Sequence, residues 1–188
     1  MARSDRLFAL FSVSLSLGLR RGEALGLPWS DVDIEQGVLR VRQTLQRFGG
    51  QLHIAPPKTR RSRRSIPLPS AMVEVLRDHR TRQAGERETA GPSWKESGLV
   101  FTTRVGTPLE PNDFSRAFRL LCERAGLEGV RLHDLRHTCA SMLLAQNVPP
   151  RVVMEILGHS SLDVTMNIYG HVMLDAQREA LKGMDALF

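Results

Sequence analysis

Apolar residues occupy nearly every position from Leu7 to Leu19, interrupted only by Ser12, Ser14, Ser16 and Gly18. A run apolar on all sides predicts a helix buried in a core. Its expected span is about Arg6 to Leu17, capped near Ser4 or Asp5 and ended or bent at Gly18. With Arg3 and Arg6 ahead of it, the run also resembles the apolar part of a secretory signal. Asp5, the three serines and the immediate Arg20-Arg21 pair weigh against that, and the run is too short to span a bilayer. A second helix starts near Arg21 and stops before Pro28. The pattern then changes period. Val38 to Thr44 predicts a strand, Arg47-Phe48-Gly49-Gly50 a turn and Gln51 to Ile54 a second strand. Beyond Pro56-Pro57, Arg64 to Leu68 suits a third. Pro69-Ser70 opens an amphipathic helix from about Ala71 to Gln83, and the polar stretch from Ala84 to Ser97 predicts a mobile loop. After Leu99-Val100-Phe101 and a turn at Val105-Gly106-Thr107-Pro108, helices are expected over about 113–125, ended by Gly126, then 132–146, 150–157, 161–169 and 174–187. The reading is an α+β chain, mainly α-helical, with a small three-stranded antiparallel sheet.

A length of 188 residues suits one domain, and 41% hydrophobic residues supply a core. Composition adds one thing to this picture. The 26 Lys and Arg exceed the 20 Asp and Glu, for a net charge of +6, and the pI is near 10.3. That balance favours a polyanionic partner, nucleic acid ahead of a membrane surface. Cys122 and Cys139 lie among apolar neighbours without CxxC spacing and read as reduced core residues. Two cysteines and six histidines include no four-ligand set with zinc spacing.

Five segments carry candidate chemistry. In the stretch from Arg131 to Thr138, His133 and Arg136 lie three apart and share a helix face. Near a helix N-terminus such a face suits a phosphate, with Arg136 adding bidentate hydrogen bonds; the plain alternative is a solvated surface pair. Gly158 reads as a left-handed helix end, and Ser160 with Asp163 resembles a capping box for the next helix. That places His159 at a tight corner, either as a preset donor or as a turn histidine bonding the backbone. Tyr169 is the only tyrosine. A free phenol, with a pKa of about 10, is a poor nucleophile unless cations favour its phenolate; otherwise it is an amphipathic helix-end residue. Lys58 to Arg64 holds five basic residues in seven. Arg60, Arg61, Arg63 and Arg64 suit a DNA backbone, and Lys58 suits proton donation, against the alternative of a solvated basic loop. Finally, Glu23 stands three residues after Arg20, able to hold it toward a phosphate or to form an ordinary surface pair.

The order and spacing of these parts carry more than any one of them. GLRRGE, PKTRRSRRSIPL, HDLRHT, LGHSS and a tyrosine ten residues after the last histidine resemble the tyrosine recombinases, also called phage integrases, from about the first helix to His171. The resemblance implies Arg20 as the first catalytic arginine with Glu23 as its support, and Lys58 as the hairpin lysine. It further implies His133 and Arg136 as the HxxR pair, His159 at the position that is His or Trp, and Tyr169 as the nucleophile. It implies strand cleavage and rejoining through a 3′-phosphotyrosine for integration or excision of a phage or other mobile element. No cofactor, ATP or metal is required. The implied partner is double-stranded DNA, bound as a homotetramer, in the cytoplasm and away from membranes; the apolar stripe of segment 174–188 either packs on its own domain or docks on a neighbouring protomer, as such tails do in the family. Residues 1–188 are then a single catalytic domain, expected to be a fragment lacking an N-terminal DNA-binding domain. Type IB topoisomerase-like relaxation and a non-catalytic DNA-binding fragment are the alternatives.

Overall fold

The structure, a computed structural model, describes residues 5–57, 59, 62–158 and 181. Helix α1 (Phe8–Ser16) runs through the core, with Ala9, Leu10, Phe11 and Val13 buried. Its serines do not interrupt it. Ser12 and Ser14 donate their hydroxyls back to the Phe8 and Leu10 carbonyls at 2.8 and 2.7 Å, which lets a hydroxyl be buried without loss. Asp5 accepts from the Leu7 N–H at 2.8 Å, just ahead of the helix. Gly18, at φ +57°, ends this segment. A side chain there would also lie 2.3 Å from Leu157, so only glycine fits the approach of chain and helix at this point. Helix α2 (Arg21–Leu25) follows.

Strands β1 (Val32–Asp33), β2 (Val38–Val41) and β5 (Arg64–Pro67) form a three-stranded antiparallel sheet in the order β1-β2-β5, while β3 (Thr44–Phe48) and β4 (Gln51–Ala55) form a separate hairpin. A three-stranded sheet is thus present with a different membership from the one expected. The segment from Val38 to Thr44 divides because Arg42 and Gln43 turn away to bond Asp31 and the Gly26 carbonyl. Residues Arg47 and Phe48 belong to β3, leaving Gly49 and Gly50 as the turn.

Helix α3 extends from Ser70 to Ala90, with a 3-10 turn at Gly91–Ser93. The mobile loop expected from Ala84 to Ser97 is therefore helical in its first half. The buried stripe of Met72, Leu76 and His79 continues in polar residues. Gln83 bonds the Leu99 and Val100 carbonyls, and Glu86 pairs with Arg6. Hydropathy fades there while the helical period persists. Helices α4 (Pro111–Arg124), α5 (Asp134–Ala145) and α6 (Pro150–Leu157) fall where expected. The main core gathers α1 to α4 and the sheet, with Phe11 stacked 5.7 Å from Phe114. A smaller cluster of Cys139, Ala140, Leu144, Val153 and Leu157 joins α5 to α6. Among the described residues no helix is long and apolar enough to cross a membrane. The helices expected at 161–169 and 174–187 lie outside the described residues, apart from Leu181.

Candidate active site

The end of α6 organises the site. A helix leaves its last carbonyls without intrahelical partners and concentrates partial negative charge there. Three arginines take three consecutive carbonyls: Arg64 the Ile156 oxygen at 2.6 Å, Arg136 that of Leu157 at 2.6 Å, and Arg20 that of Gly158 at 2.9 Å. Arg136 also donates to the Gly18 carbonyl at 2.5 Å. Gly158 has φ +66° and ψ +46°, the expected left-handed helix end. The chain thereby brings together residues more than a hundred positions apart.

Arg20 precedes α2 in an extended conformation, and Glu23 holds it twice, from its backbone N–H at 3.0 Å and its guanidinium at 2.7 Å. The Glu23 side chain is 4% exposed. Burial by itself would raise its carboxyl. The charge and hydrogen bond of Arg64, with the N–H and charge of Arg20, outweigh that and hold it below the usual carboxylate value. Burial, with Arg20 and Arg64 nearby, pushes Arg136 down to about 9, still charged at neutral pH. His133 immediately precedes α5, its ring edge-on to His137 at 4.8 Å. Partial burial and then the neighbouring His137 and Arg136 lower its pKa and favour neutral imidazole, the form that accepts a proton. Burial raises the Cys139 thiol to about 11, consistent with a reduced core residue.

Arg20, His133 and Arg136 open onto a cavity of about 470 Å³ that Arg21, Arg119 and Arg131 also line; among the described residues no carboxylate lines it. These last three arginines were not singled out from the sequence. Arg21 lies inside GLRRGE and Arg131 just ahead of HDLRHT, but only the fold gathers them with Arg119; α4 packs against α2, where Arg21 donates to Ser115 at 3.1 Å. A second cavity of about 380 Å³ adjoins Arg20, Glu23 and Gly158, and is lined by Pro57 and Thr59, the neighbours of Lys58 in sequence. Arg63 is exposed. Arg64 departs from the expected DNA-facing placement, since its side chain is 6% exposed, its donors are engaged internally and, unlike Arg136, it lines neither cavity. Lys58, Arg60, Arg61, His159 and Tyr169 lie outside the described residues.

The model of the Phage integrase family matches residues 2–175. The chain is 35% identical, over 99% of its length, to a tyrosine recombinase XerC-like protein of Caldanaerobacter subterraneus subsp. tengcongensis, of which it covers 51%. It spans about half the length of the curated relatives it matches. Its fold is similar to that of the Tn1549 transposon integrase solved with transposon right-end DNA, with a TM-score of 0.82 and 23% identity over 98% of this chain and 62% of that one. The XerA recombinase gives a TM-score of 0.72 and 27% identity over 97% of this chain and 60% of that one.

Proposed function

The chain belongs to the phage integrase family, and from that premise we propose that it is the catalytic domain of a site-specific tyrosine recombinase. The observation that carries this reading is the cavity onto which Arg20, His133 and Arg136 converge, lined by no carboxylate among the described residues. Such a site suits a phosphodiester whose charge grows in the transition state. In the proposed reaction the Tyr169 oxygen attacks the scissile phosphorus, and a 3′-phosphotyrosine bond forms as the bond to the 5′-oxygen breaks. Arg20, Arg136 and His159 stabilise the non-bridging oxygens. Lys58 protonates the leaving 5′-oxygen, and His133 takes the phenol proton. Attack by the freed 5′-hydroxyl of a partner strand reverses the chemistry and rejoins the DNA, so the phosphoester energy is kept.

Double-stranded DNA is the proposed partner, with the surplus positive charge tracking its backbone in cytoplasm. A tetramer joined through residues 174–188 belongs to the same reading, as does a further DNA-binding segment in the whole protein. The test is covalent trapping: the protein is incubated with nicked DNA in EDTA, denatured, and examined for a protein–DNA adduct. The adduct is expected with the unaltered protein and absent in Tyr169→Phe. Failure of the full-length protein to form it on its own site would overturn the reading.

A further inference from the structure

Resting on that reading, the geometry points to Arg64 as a positioning residue for the catalytic arginines, set apart from the DNA-facing residues of its own basic run. Arg63 is exposed, whereas the Arg64 side chain is 6% exposed. Its guanidinium spans three elements. It donates to the Ser62 carbonyl at 3.1 Å beside β5, to Glu23 Oε2 at 2.9 Å on α2, and to the Ile156 carbonyl at 2.6 Å at the end of α6. Arg64 lines neither of the two cavities described above, while Arg20 lines both.

Arg64 therefore acts through its partners. The Glu23 oxygen it binds, Oε2, also accepts the Arg20 N–H, and the other oxygen accepts the Arg20 guanidinium. At the opposite end it holds the first of the three carbonyls shared with Arg136 and Arg20. It thereby ties β5 to Arg20 and to the left-handed end of α6 at Gly158. It packs closely on the end of α6, where a Cβ at position 158 would lie 3.0 Å from its Nη1. A lysine carries the charge but lacks the planar fork needed to reach a carboxylate and two carbonyls together.

The test compares Arg64→Lys, Glu23→Gln and Arg63→Ala with the unaltered full-length protein. Three quantities are measured: cleavage at saturating DNA, the salt dependence of DNA affinity, and the thermal midpoint. Arg64→Lys is expected to lower saturated cleavage on the order of 100-fold, with DNA affinity and salt slope unchanged. Glu23→Gln is expected to show the same split, and the double variant to lose little more than the worse single one. Arg63→Ala is expected to weaken DNA affinity instead, lowering the salt slope by about one phosphate contact. An Arg64→Lys protein that regains full rate at saturating DNA with a shallower salt slope is a DNA contact, and the inference falls. Full saturated rate with only a lowered thermal midpoint makes the role purely structural and overturns it as well. Should Arg64→Lys not fold, Glu23→Gln decides by the same criteria. An inert unaltered protein fails the strand-cleavage reading itself, a result separate from these.

Discussion

Two polar networks stand at opposite ends of α1 and differ in their charge. At the N-terminal end, Arg6 forms a bidentate pair with Glu86 at 2.6 and 2.5 Å. Beside it Arg82 donates to His79, whose other ring nitrogen meets the Val100 carbonyl at 2.7 Å. The cations Arg6 and Arg82 are matched there by Glu86 and Asp5. At the C-terminal end, Arg20, Arg64 and Arg136 share Glu23 as their one carboxylate among the described residues, and carbonyls take up the other donors. Carbonyl dipoles satisfy the N–H groups without cancelling the charge. The first network is balanced and serves the fold; the second keeps a surplus that attracts an anion. Burial alone therefore does not mark the proposed site. Unbalanced burial does.

The largest effect is expected where the surplus depends on its one carboxylate. Glu23→Ala leaves the buried Arg64 without its counter-charge, and losing one partner of a buried pair costs about 3–5 kcal/mol. At the other end Glu86→Ala is expected to cost clearly less, because Arg6 is 23% exposed and regains water. Urea unfolding at pH 7 measures both, and equal losses would erase the difference between the two networks.

The balanced network carries the next effect, a dependence on pH. Burial lowers His79 from 6.5 to about 4, with Arg82 and Arg6 acting in the same direction against the Val100 carbonyl and Glu86. Folded protein holds this ring neutral while the unfolded chain protonates it. Stability from this group is thus complete above about pH 6.5 and is lost as pH falls toward 4. The difference of about 2.5 units corresponds to roughly 3 kcal/mol. His79→Gln keeps a donor and an acceptor but does not titrate. Subtracting its stability–pH curve from that of the unaltered protein should leave a slope confined to pH 4–6.5, and a flat difference would refute the assignment. The smallest effect belongs to an exposed pair. Arg151 and Glu155 meet at 3.0 Å on α6 with side chains 74% and 63% exposed. Arg151→Ala should shift the unfolding free energy by less than about 0.5 kcal/mol, and a larger loss would show that exposed pairs here rank with buried ones.

Helix positions were legible where apolar period and end signals agreed, as in α1, α4 and α6. They were not legible in the second half of α3, where Gln83 and Glu86 take the inward positions through hydrogen bonds that hydropathy does not register. The sheet was readable as small and antiparallel. The departure of Arg42 and Gln43 from strand pairing depends on Asp31 and Gly26, which no local pattern links to them.

By itself the sequence determined the family, the helical and antiparallel character, and the pairing of Arg20 with Glu23. The family rests on the order and spacing of five motifs along the chain, and the other two on residue types at short spacing, which backbone geometry turns into proximity. Tertiary structure alone decided that Arg63 faces outward while Arg64 turns in to Glu23 and α6. It also decided that Arg21, Arg119 and Arg131 share a cavity with Arg20 and Arg136. Neighbouring arginines are chemically identical in sequence, and what separates them is which carbonyls and carboxylates the rest of the fold brings within hydrogen-bonding reach.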